Sequence, residues 1–325
     1  MRASVACARV LGHVHPQVRA LLEAMASEGE PEPADLAAER AAYLDATVRL
    51  GGAAEPVASA VDLVVPHGDV RLPARVYAPL HEPDTERLIV WLHGGGWYVG
   101  DIPTFDRVAR SLANASGAKV LLVEYRLAPE HHWPVQGGDA DATVAWARSP
   151  AGAAQLAIDP AQVVLGGDSA GGQLALVAAR HARADGHPPL RALLLVYPAL
   201  DPTLTSESYT SFADGPMLTR ADMERCWALY LDGRGGGDPD AAPLLAGDHD
   251  GLPPTWIAVA ELDPVRDDGL RLAGALSAAG VAVQRRTFDG LVHGFLRWGG
   301  VVDATGELIA WLGDAARSRA NASAG

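Results

Sequence analysis

The chain has 325 residues, enough to bury a large core, either as one α/β domain with a decorating cap or as two domains. Its net charge of −14, from 40 acidic and 26 basic residues with no basic stripe, argues against nucleic-acid partners and against docking on an anionic membrane. Lys119 is the single lysine, which removes a Gly-Lys-Ser/Thr phosphate loop, a Ser-x-x-Lys acylation pair and a pocket Schiff base.

No apolar run approaches the length of a membrane span, so no membrane insertion is expected. Arg9 interrupts the N-terminal apolar stretch too early for a signal peptide, and a lipoprotein signal at Cys7 fails for the same reason. Cys7 and Cys226 form neither a metal spacing nor a disulfide framework. Lone cysteines suit a reducing compartment, and a cytoplasmic location is the expectation.

In chain order, Val14, Val18, Leu21, Leu22 and Met25 share one helical face, and Leu36, Tyr43, Leu44 and Val48 mark a second amphipathic helix. Residues 1–55 are therefore read as N-terminal cap helices. Val61–Val65 and Val70–Tyr77 predict an antiparallel pair turning at His67-Gly68-Asp69. Leu88–Leu92 is apolar throughout, as in a strand buried on both faces. His93-Gly94-Gly95-Gly96-Trp97 follows at once, and glycines placed there let backbone N–H groups turn toward a ligand.

A helix over about 105–115, a strand at 120–124 and a helix over roughly 136–148 lead to the stretch on which the reading rests. Val163-Val164-Leu165 enters Gly167-Asp168-Ser169-Ala170-Gly171, and Gln173–Ala179 reads as a helix. Strand, Gly-x-Ser-x-Gly and helix in that order make a nucleophile elbow, which holds the serine hydroxyl out at the top of a sheet. The bland reading is a glycine turn with a serine cap. Leu193–Tyr197 is the next buried strand, and residues 201–250 break the alternation with polar turns and one helix over 221–231. Strand, helix and strand resume over 255–260, 267–279 and 281–288, and Leu308, Ile309 and Leu312 mark a closing helix.

Alternation of this kind describes a mostly parallel, twisted α/β sheet of about eight strands with helices on both faces. The catalytic domain is assigned to 56–200 and 251–325, with 201–250 as a cap insertion over the carboxyl ends of the strands.

A serine hydroxyl needs a neighbouring base, and the base needs an anion to orient it. Asp263, just past the 255–260 strand, and His293, past the last strand, supply the order Ser, Asp, His. Glu261 is the rival acid, while Asp267 and Asp268 are expected to cap the next helix. The glycine loop at 94–96 and the Ala170 N–H offer donors for a developing oxyanion, typically worth about 2.7–4 kcal/mol each. His131 and His132 lack a third ligand at metal spacing and read as loop histidines.

Five segments together resemble the hormone-sensitive-lipase-like family of α/β-hydrolases, the bacterial carboxylesterases with an HGGG motif. They are His93–Trp97, Tyr125–Glu130, Gly167–Gly172, Asp263–Asp267 and His293-Gly294-Phe295. The resemblance covers about residue 60 to the C-terminus. It implies an α/β-hydrolase fold with Ser169 as nucleophile, Asp263 as acid and His293 as base. It also implies Gly94, Gly95 and Ala170 as oxyanion donors, with Gly96 supporting the loop, His93 bracing it, Asp168 marking the subgroup and Glu130 holding the site together. No metal or cofactor is implied. The substrate would be a small ester of a short-to-medium acyl chain, and the edge strand nearest the C-terminus would make a homodimer.

Trp97, Tyr197, Phe212 and Trp227 are candidate pocket walls that could equally be core or lid packing. Two other functions use the same parts. The triad would serve equally on an amide, a lactone or an acetylated natural product. A non-catalytic small-molecule receptor can share the scaffold, but it should have lost a triad member, and all three are present.

Overall fold

The computed structural model describes residues 13–28, 33–81 and 86–318; the N-terminal stretch with Cys7 lies outside them. Two helices come first, α1 (Pro16–Glu28) and α2 (Leu36–Gly51). Asp35 starts α2 by accepting from Ala38 N at 2.9 Å. An antiparallel hairpin follows, β1 (Ser59–His67) with β2 (Val70–Ala78), closing through the pair His67↔Val70. Two residues are left for the turn, and Gly68 supplies its positive φ of 57°.

From here strands alternate with helices. The order is β3 (Leu88–Leu92), α3 (Ile102–Ser116), β4 (Lys119–Val123), α4 (Val135–Arg148), α5 (Pro150–Leu156), β5 (Val163–Asp168), α6 (Ala170–Ala184) and β6 (Ala192–Val196). The insertion contributes α7 (Glu207–Ser211) and α8 (Arg220–Leu231). The chain then ends with β7 (Thr255–Leu262), α9 (Arg266–Ala278), β8 (Val283–Val292) and α10 (Ala304–Arg317).

The strands form one sheet in the order β1-β2-β4-β3-β5-β6-β7-β8. Pairing is antiparallel for β1 with β2 and β2 with β4, and parallel from β4 to β8. Parallel strands need crossovers on the sheet faces, and β3 and β6 are buried at every residue as a result. The strand order reverses around β3, between β4 and β5. A crevice must open there, beyond the carboxyl ends of the strands, and the loops after β3 and β5 face it. Among the described residues no helix is long and apolar enough to cross a membrane.

Predicted and observed bounds agree within a few residues for the main elements. The short helices α5 and α7 were not anticipated. β8 runs through Asp289 and Gly290 to Val292, where a loop was expected, with a register irregularity opposite Ala260 and Leu262. His293 therefore starts directly at a strand end.

One charge cluster fastens the insertion to the sheet helices. His181 on α6 meets Asp141 of α4 at 2.8 Å and Asp240 of the insertion at 3.0 Å. The Asp141 hydrogen bond raises the imidazole pKa to about 9. A raised histidine stabilises the fold fully below its unfolded value and loses that contribution as pH climbs through about 9. The His181→Gln variant should thus melt lower than wild type at pH 6 and converge on it near pH 10. The ring is one-third exposed, so solvent screening limits the gap to about 1 kcal/mol. Melting curves across that pH range check it; a gap that widens toward pH 10 contradicts the sign.

Candidate active site

β5 lies between β3 and β6, and its end delivers Ser169 to the crevice. Ser169 has φ 53° and ψ −119°, a strained conformation for a side chain with a Cβ. The neighbours hold it there: Ser169 N donates to Val196 O at 2.8 Å, and its carbonyl accepts from Gln173 N at 3.2 Å. Glycine is obligatory on either side. A Cβ on Gly171 would strike the Leu92 carbonyl, and one on Gly167 the Gly171 carbonyl. Ser169 occupies the N-cap position of α6, yet its hydroxyl makes no cap bond. The serine-cap reading of the turn is thereby excluded.

The hydroxyl is instead 2.9 Å from His293 Nε2, and His293 Nδ1 is 2.7 Å from Asp263 Oδ2. Asp263 is fully buried, and its other oxygen accepts from Val265 N at 2.9 Å. The rival acids are committed elsewhere. Glu261 lies inside β7 and accepts from Gly290 N at 2.6 Å. Asp267 and Asp268 do not cap α9 as expected. Asp267 accepts from Ser208 N, and Asp268 from Leu200 N and Asp201 N. Those bonds tie the start of the insertion to α9.

The glycine loop after β3 departs from expectation at one position. Gly94 N already donates to Asp168 Oδ1 at 3.0 Å, and Gly94 is absent from the cleft wall. Its N–H is therefore not available to a substrate. Gly95 and Gly96 do face the cleft beside Ser169. Among the described residues their N–H groups meet no acceptor, and Gly95 O accepts from Tyr98 N and Val99 N to fix the turn. Gly95 has φ 121°, and a Cβ there would collide with the Val99 carbonyl. Ala170 N opens α6, one of the helix's four orphan donors. Gly95 and Gly96 thus line the cleft beside Ser169, and Ala170 N stands at the start of α6 directly after it.

Two buried side chains hold this loop. Burial pushes the Asp168 carboxyl up to about 6, and its bond to Gly94 bridges the loop to the elbow. His93 is pushed down to about 4 by burial, so it is neutral. Its Nδ1–H donates to Gly94 O at 2.8 Å, and its ring stacks on Tyr125 at 4.3 Å. Glu130 acts from further out. It is half-exposed and pairs with Arg40 of α2 at 2.7 Å, while Arg40 also donates to the carbonyls of Tyr98 and Ala128. At the rim Arg225 of α8 forms a two-point pair with Glu39 of α2, and Tyr98 donates to the same carboxylate. These contacts lock α2 and α8 onto the glycine loop, and no local pattern announces them.

The cleft holds about 420 Å³. Of the four predicted aromatic walls only Trp97 borders it. The Trp97 ring is buried between Trp227 and Tyr230, with Nε1 donating to Gln173 Oε1. Trp227 is packing behind it. Tyr197 lies 4.5 Å from the His293 ring, beneath the triad, and Phe212 sits under Arg266 away from the cleft. The walls come instead from α2 (Tyr43, Ala46, Leu50), from the insertion (Met217, Met223, Cys226) and from Arg297 and Trp298. Burial lifts the Cys226 thiol to about 12, which keeps it protonated.

Comparison with known proteins agrees with this geometry. A family model described as the α/β-hydrolase fold matches residues 89–297. The chain is 41% identical over 240 residues to the carboxylesterase NlhH of Mycobacterium tuberculosis, covering 73% of this chain and 75% of that one. It is 40% identical over 261 residues to the carboxylic ester hydrolase LipN of the same species, covering 77% and 69%. The solved structure of a thermostable esterase from Pseudomonas putida ECU1011 superposes with a TM-score of 0.89 at 28% identity, covering 95% of this chain and 98% of that one.

Proposed function

The chain belongs to the hormone-sensitive-lipase-like family of α/β-hydrolases, a family of carboxylesterases, and we propose that it cleaves small esters through Ser169, His293 and Asp263. One observation carries the assignment of residues. The Ser169 hydroxyl, free of any cap role, sits 2.9 Å from an imidazole whose other nitrogen is held by a fully buried carboxylate.

His293 Nε2 takes the Ser169 proton as the oxygen attacks the ester carbonyl, and Asp263 keeps Nδ1 protonated and stabilises the imidazolium. Negative charge on the carbonyl oxygen develops in front of the Gly95, Gly96 and Ala170 N–H groups. His293 then passes the proton to the departing alcohol, leaving an acyl group on Ser169. A water molecule, deprotonated by His293, attacks that acyl group, and the acid leaves as Ser169 recovers its proton. Residues 1–55 and 201–250 act as the cap in this reading. It extends to a cytoplasmic location, which the free thiol of Cys226 suits, and to a homodimer through β8, at one end of the sheet.

The cleft holds about 420 Å³ and is walled by α2 and the insertion, a bounded space that suits short acyl chains. On p-nitrophenyl acetate, butyrate, octanoate and laurate, kcat/KM should peak at acetate or butyrate and fall at least about tenfold by laurate, the cost of roughly 1.4 kcal/mol of lost fit. A profile rising to laurate rejects the short-chain reading. If none of the four turns over, the ester assignment itself falls, and amides and lactones become the substrates to try.

A further inference from the structure

Arg297 follows His293 by four residues and lines the cleft. Two residues of α2 fix it in place. Nη1 donates to Thr47 Oγ1 at 2.5 Å, and the guanidinium carbon lies 4.2 Å from the centre of the Tyr43 ring. Both partners are neutral. Arg40, Arg75, Arg126, Arg183 and Arg225 each meet a carboxylate. Arg297 meets none within 4.0 Å among the described residues, in a chain with a net charge of −14. Asp168 feels its charge but lies beyond that distance, with its carboxyl turned to Gly94 N.

The cleft that Arg297 lines is apolar at Met25, Leu50, Met217, Met223 and Trp298, and its acids are each engaged, Glu39 by Arg225, Asp168 by Gly94 N and Asp222 by Thr219. A half-buried guanidinium in such a wall, lying over an aromatic ring, is prepared for two-point recognition of a carboxylate. Its position also has a direction. A Cβ at Gly294 would lie 3.1 Å from Nη2, so the fork stands beside Gly294, the residue that follows His293. In the triad reading His293 protonates the departing alcohol, which places the alcohol half of the ester nearest this part of the chain.

We propose that Arg297 is a specificity-determining residue that selects esters bearing a carboxylate on their alcohol half. This rests on the triad reading above. Hydrolysis of such an ester releases a hydroxy- or phenol-bearing acid from the fork and leaves a neutral acyl group on Ser169. The second product, formed with water, is an ordinary carboxylic acid.

Two substrate pairs test it on wild type, Arg297→Gln and Arg297→Lys. One pair is 4-acetoxybenzoate against its methyl ester, with the carboxylate on the alcohol half. The other is mono-4-nitrophenyl glutarate against 4-nitrophenyl butyrate, with the carboxylate on the acyl half. Each kcat/KM is divided by the hydroxide-catalysed rate of the same ester. Wild type should favour 4-acetoxybenzoate over its methyl ester by about tenfold or more, mainly through KM. The preference should shrink in 0.5 M NaCl, fall to about one in Arg297→Gln and be intermediate in Arg297→Lys.

A merely structural Arg297 would lower both members of a pair together and leave their ratio unchanged. A wild-type ratio of one or below in both pairs overturns the proposal, as does a preference that survives Arg297→Gln. A preference confined to the glutarate pair overturns the alcohol-side assignment. Should Arg297→Gln not fold, the salt dependence of the wild-type ratio still decides. Failure of wild type on the two neutral esters would instead sink the esterase reading.

Discussion

Ser169→Ala should reduce kcat on p-nitrophenyl butyrate by about 10⁶-fold, leaving the small residual rate that binding and oxyanion donors supply alone. The magnitude follows from what the hydroxyl does. It is the atom placed 2.9 Å from His293 Nε2, whereas the Cys226 thiol beside Gly96 is held protonated by burial and has no base beside it among the described residues. Alanine keeps the Cβ and the strained φ of 53°, so the fold should survive and the melting temperature should stay close to wild type. A phosphonate inhibitor should add one adduct to wild type, at Ser169, and none to the variant. More than a tenth of wild-type activity in Ser169→Ala would move the nucleophile elsewhere.

The nucleophile was legible because its requirements are local. Strand, small residues, serine and helix must be contiguous for the elbow to form, and Val163–Ala179 spells them out in order. His293 and Asp263 were legible for a related reason: each stands directly after a strand, so the topology itself delivers them to one edge. What the sequence does not carry is which of several like groups is free. Gly94, Gly95 and Gly96 are identical in type. Only the Asp168 carboxyl, which reaches from β5 to take Gly94 N, leaves the other two to face the cleft.

Three of the four aromatic walls failed for the same physical reason. Trp227 packs against Trp97 and Tyr230, Tyr197 against His293 and Phe295, and Phe212 under Arg266, and the residue type alone says nothing of those partners. The cleft walls come from α2 and α8, segments some 180 residues apart that meet through Glu39 and Arg225. Neither helix signals the other.

The choice of acid can be settled by a pair of substitutions. Asp263→Asn is expected to lower kcat by about 10⁴-fold, with the fold intact. An asparagine amide can present its N–H to His293 Nδ1, which stabilises the tautomer with the proton on Nε2. That nitrogen then points a hydrogen at Ser169 and can no longer accept one. The amide also removes the negative charge that balances the imidazolium. Glu261→Gln makes the opposite case. Its amide oxygen can still accept from Gly290 N, and the triad keeps its charge, so kcat should change by no more than about threefold, in line with a hydrogen bond kept in altered form. The two carboxylates sit two residues apart at the end of β7, where alternation sends their side chains to the same face of a regular strand. Leu262 is the last residue of β7, and the chain leaves strand geometry before Asp263. That break lets one carboxylate reach the histidine while the other ties down the β8 turn. A loss of kcat in Glu261→Gln matching that in Asp263→Asn would show that the break does not separate their roles, and the acid would have to be reassigned to the pair.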